Sequence, residues 1–68
     1  MTRPTDSSTA AELSTVRSQI EDLVRRVTAC AEDYATTPGS TVAAECFAAE
    51  RALITAGRAV DRARAHLA

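Results

Sequence analysis

The 68-residue chain has no tryptophan and no lysine, and it holds only one phenylalanine, one tyrosine, one histidine, two glycines and two prolines. Each scarcity excludes something. Four turn formers cannot serve an all-β chain, which needs a reversal about every ten residues. With Tyr34 and Phe47 as the only aromatics, there is almost nothing for nucleic-acid bases to stack on. No apolar run approaches the roughly 20 residues that span a bilayer, so no membrane partner is expected. The polar start, Met1 to Ser8, lacks the apolar stretch of a secretory signal. The expected compartment is therefore the cytoplasm, with export by another route left open. A net charge of −1, with both signs interspersed, argues against a general binder of nucleic acid or acidic membrane.

What the chain has in quantity is alanine, and all its basic side chains but His66 are arginine. That composition suits a GC-rich bacterial genome and favours long helices. The only Pro-Gly pair, Pro38-Gly39, stands at the centre of the chain. Proline disfavours helix for the residue before it and glycine accepts a left-handed backbone, so the pair ends one helix and allows a reversal. Residues 1–8 read as a disordered tail. Thr9 and Glu12 fit a capping box that starts helix 1 over about 9–36. A turn at about 37–40 follows, and Ser40 or Thr41 caps helix 2 over about 41–67.

Both helices carry apolar residues at alternating spacings of three and four, the heptad pattern of a helix that buries one stripe. In helix 1 the stripe is Leu13, Val16, Ile20, Leu23, Val27, Cys30 and Tyr34. In helix 2 it is Val42, Cys46, Ala49, Leu53, Ala56, Val60, Ala63 and Leu67. Pairing positions equidistant from Pro38 sets Tyr34 against Val42, Cys30 against Cys46, and so on to Leu13 against Ala63. The fold class predicted is all-α: an antiparallel two-helix hairpin of coiled-coil type, which dimerises into a four-helix bundle.

The dimer is expected because two helices share one seam, and a chain this small seldom buries enough to stand alone. A second apolar strip lies beside the first: Val24 and Ala31 on helix 1, with Ala43, Phe47, Ile54 and Gly57 on helix 2. It either widens the hairpin's own core or meets a partner, and the second reading is preferred, with another copy or another helical protein as the partner. Glu50 falls within this strip, at its rim or paired across the interface with an arginine such as Arg17 or Arg64. Cys30 and Cys46 share one predicted layer, as reduced core thiols or as a disulfide. Such a bond would contribute about 3 kcal/mol by closing a loop of about 15 residues.

Catalytic chemistry finds no foothold. His66 stands about 30 Å along its helix from Cys46, too far for a thiol–imidazole couple. The adjacent carboxylates Glu21-Asp22 and Glu32-Asp33 point to different parts of the helix surface. Two thiols fall short of a four-ligand zinc site, and no phosphate-binding loop is present, so no cofactor or metal is expected. Arg51, Arg58 and Arg62 share one face of helix 2 and could contact RNA or DNA, but neighbouring carboxylates dilute their field. The function expected is a non-enzymatic protein–protein interaction module, an adaptor or small regulator acting as a helical-hairpin oligomer. A nucleic-acid-binding bundle and an exported, disulfide-clamped hairpin are the alternatives.

Overall fold

The computed structural model describes residues 4–67, which form two α-helices, α1 (Pro4–Tyr34) and α2 (Thr41–Ala65). They fold back on one another as an all-α antiparallel hairpin. The rod measures 56 × 14 × 11 Å with a radius of gyration of 15.9 Å. A compact chain of this length would have a radius near 11 Å.

Helix α1 starts earlier than the Thr9 capping box. It begins at Pro4, with Asp6 in its first turn. Proline suits a first helical position because its φ is already helical and the amide it lacks has no partner there. A carboxylate two residues on favours the positive end of the helix dipole. Most of the expected tail is therefore helix, and residues 1–3 of it lie outside the described residues.

The reversal follows the turn chemistry. The Ser40 amide donates to the Thr37 carbonyl at 3.2 Å across Pro38-Gly39, and Gly39 has φ +70. This is the type II pattern, with proline presetting the first central position and glycine taking the positive φ of the second. Ser40 then caps α2: its Oγ accepts from the Ala43 amide at 3.2 Å. At the far end Arg62 and Arg64 occupy the last turn, cations at the negative pole of the dipole, and His66 closes the helix.

The register agrees with the expected one, but the helices are rotated about their own axes. Arg17 pairs with Asp61 at 3.0 Å and the Thr28 hydroxyl donates to Glu50; both pairs are symmetric about Gly39, next to the predicted mirror point. The buried residues are Ile20, Ala31, Ala43 and Gly57. Three of these belong to the strip read as a partner surface, whereas Leu23, Tyr34 and Val42, members of the predicted seam, are 39%, 47% and 48% exposed. The reason is size. Small side chains at Ala31, Ala43 and Gly57 let the backbones approach along that line, and the bulkier stripe is displaced to one side. Among the described residues no large side chain is fully buried.

Candidate interaction surface

Two flanks border the line of contact. At 100° per residue, Arg17, Val24 and Thr28 lie on one side of the Ile20–Ala31 line, and Leu23, Cys30 and Tyr34 lie on the other. On α2 the Ala43–Gly57 line likewise divides Phe47, Ile54 and Asp61 from Val42, Ala49 and Ala56. The Arg17–Asp61 pair shows which sides coincide. Arg17, Val24, Phe47 and Ile54 therefore belong to one flank of the hairpin, and Leu23, Cys30, Tyr34, Val42 and Ala49 to the opposite one.

The first flank is a polar-rimmed groove. Arg17, Glu21, Val24, Arg25, Ile54 and Arg58 line an open space of about 430 Å³. Arg17 is held by Asp61 at 3.0 Å and Glu21 at 3.6 Å, and Asp61 also meets Arg64 at 3.7 Å. Arg25 is occupied by Asp22 at 3.3 Å. Only Arg58 of the three groove arginines lacks an ion-pair partner among the described residues. Glu50, half-buried, accepts from Thr28 within the hairpin. Val24 and Phe47 are half-buried here and Ile54 is exposed.

Gly57 brings this flank together, because the Arg17 guanidinium lies where its side chain would be. A Cβ at Gly57 would come within 2.9 Å of Arg17 Nη1 and 3.0 Å of Cζ. Those atoms end a flexible side chain and can move aside. Gly57→Ala should gain about 0.5–1 kcal/mol of helix propensity. It should lose part of a half-exposed ion pair that contributes at most about 1 kcal/mol. The net change expected in urea unfolding is within about 0.5 kcal/mol, whereas in an Arg17→Ala background the same substitution stabilises by the full propensity gain.

The second flank carries no ion pair across the helices among the described residues, and it is apolar. Leu23, Cys30, Tyr34, Val42, Ala49 and Ala56 are exposed along it, with Val16, Cys46, Leu53, Val60 and Leu67 half-buried behind them. Both cysteines are free thiols, Cys30 exposed and Cys46 half-buried, so neither belongs to the buried core. Of the residues considered for nucleic acid, Arg51, Arg58 and Arg62 are all exposed and without ion-pair partners among the described residues. Arg58 opens into the groove flank, beside Arg17 and Arg25.

Comparison with protein-family models, curated proteins and solved structures finds no match to this chain. Among the described residues no helix is long and apolar enough to cross a membrane, and no group of histidine, cysteine and carboxylate side chains is placed to hold a metal ion.

Proposed function

We propose that this protein is a non-enzymatic interaction module, a small adaptor or regulator, that works as a helical-hairpin oligomer through its Leu23–Tyr34–Val42 flank. One observation carries the reading: the hairpin exposes more surface than a self-sufficient chain of its mass. Its accessible surface is 4997 Å², against about 4,100 Å² for a compact monomer of 7.2 kDa. The surplus of about 900 Å² is close to the 800 Å² or so that each partner contributes to a standard interface. The excess is matched by an apolar flank along one side of the rod, and burying that flank supplies the core that two helices cannot make.

A second copy is the simplest partner, because it brings an equal apolar flank and closes a four-helix bundle. Light scattering over a concentration series is expected to give twice the 7.2 kDa chain mass. A monomer at tens of micromolar would overturn self-association.

A further inference from the structure

Resting on that self-association, we infer that the two copies pack end for end, with α1 on the partner's α1, α2 on the partner's α2, and the turns at opposite ends of the bundle. A two-fold axis can join two such flanks in two ways. If it runs along the rod, the turns meet and α1 faces the partner's α2. If it crosses the rod, the copies are reversed and each helix faces its own counterpart.

Charge at the rim of the flank separates the two. The segment from Val27 to Glu50 contains Glu32, Asp33, Glu45 and Glu50 and no basic residue. Asp33 and Glu45 are exposed and have no ion-pair partner among the described residues. Like the Thr28–Glu50 and Arg17–Asp61 pairs, they are symmetric about Gly39 and so lie at one level of the rod. With the turns together, Asp33 of each copy would stand over Glu45 of the other, a like-charge pair made twice.

End for end, the axis crosses the apolar flank at the level of Gln19 on α1 and of Arg58 on α2, whose side chain itself turns to the groove flank; the hairpin register places the two at about the same height. Glu12 then comes level with Arg26 of the other copy, on the same rim and at equal distances from Gln19. Arg26 is available for this contact: its side chain is 71% exposed and among the described residues it reaches only Asp22, at 3.9 Å. The apolar residues also fit. Along α2, equal steps either side of Arg58 pair Ala49 with Leu67, Leu53 with Ala63, and Ala56 with Val60, small against large in each layer. Along α1 Val16 meets Leu23, and the exposed amide of Gln19 faces its own counterpart at the axis.

The native thiols and one added thiol test the arrangement. Cys30 lies eleven residues beyond Gln19, so in the reversed dimer the two Cys30 thiols are about 33 Å apart along the axis. Mild oxidation of the unaltered dimer is expected to give no disulfide between chains. Gln19→Cys in a Cys30→Ser, Cys46→Ser background is expected to cross-link nearly completely, since the two positions meet only when α1 faces α1. An exchange of charge gives an independent reading: Arg26→Glu should weaken dimerisation about tenfold, and adding Glu12→Arg should restore it to within about threefold. A dimer whose native cysteines cross-link the chains while Gln19→Cys does not would overturn the reversed packing and leave the self-association standing. Absence of both cross-links in a dimer would also overturn it, as would a charge exchange that fails to restore affinity. A monomeric unaltered protein would remove both proposals.

Discussion

Replacing Leu23 with glutamate is expected to dissociate the proposed dimer, shifting its scattering mass to that of the 7.2 kDa chain. Leu23 is 39% exposed in the hairpin, so a glutamate there meets water and costs a lone hairpin little. In the proposed bundle the same position would be closed over by the partner. The substitution forfeits the remaining apolar burial and traps a carboxylate, together roughly 2–3 kcal/mol. Two-fold symmetry makes the loss occur twice, so dimerisation should weaken by a thousandfold or more. On the proposed dimer, in which the partner completes the core, helicity and melting temperature should fall with it and recover at high protein concentration. An unchanged mass would move the interface off this flank.

Phe47→Glu makes the contrasting case. Phe47 lies on the groove flank and is already half-buried in the lone hairpin. Its loss should destabilise the chain at every concentration, with no recovery on concentrating the sample. The two variants separate the flank that closes the hairpin from the flank proposed to meet a partner.

Much of this fold is legible from the residues alone. Pro38-Gly39 places the reversal, Ser40 caps α2, and the three-four spacing of apolar residues gives two helices of matched length. The register follows from symmetry about the turn, and Arg17–Asp61 and Thr28–Glu50 conform to it. What the pattern does not convey is rotation. A heptad count favours large residues for the seam and assigns Leu23, Tyr34 and Val42 to the hairpin contact. Close packing of only two helices favours small residues instead, and the line through Ala31, Ala43 and Gly57 is buried. The signal was present, since Ala43 and Gly57 are two heptads apart on one face, but alanine recurs so often in this chain that small size carries little contrast. The capping signature at Thr9 likewise outweighs the helix start at Pro4, although Pro4 followed by Asp6 is itself a start signal. A heptad count does not show the apolar flank for the same reason: residues assigned inside the hairpin are not also counted as its outer surface.

If small size at the contact line sets the rotation, Ala31→Leu should disturb the fold more than any other single enlargement by the same side chain on α1. Ala31 has no exposed surface, and it stands in the same relation to the turn as Arg17 does to Gly57, with the buried Ala43 as its counterpart. Three added carbons have no room between backbones this close. Either the leucine adopts a strained rotamer or the helices part near the turn, at a cost of about 1–3 kcal/mol. For a chain of this length that corresponds to a fall in melting temperature of roughly 5–20 °C. Ala29→Leu supplies the comparison, since Ala29 is exposed on the same helix and alanine and leucine have similar helix propensities; its melting temperature should stay within about 3 °C of the unaltered protein. Equal melting temperatures for the two leucine variants would mean that the small-residue line is not what brings the helices together. A loss confined to Ala31→Leu would tie the displacement of Leu23, Tyr34 and Val42 onto the open flank to the size of one buried alanine.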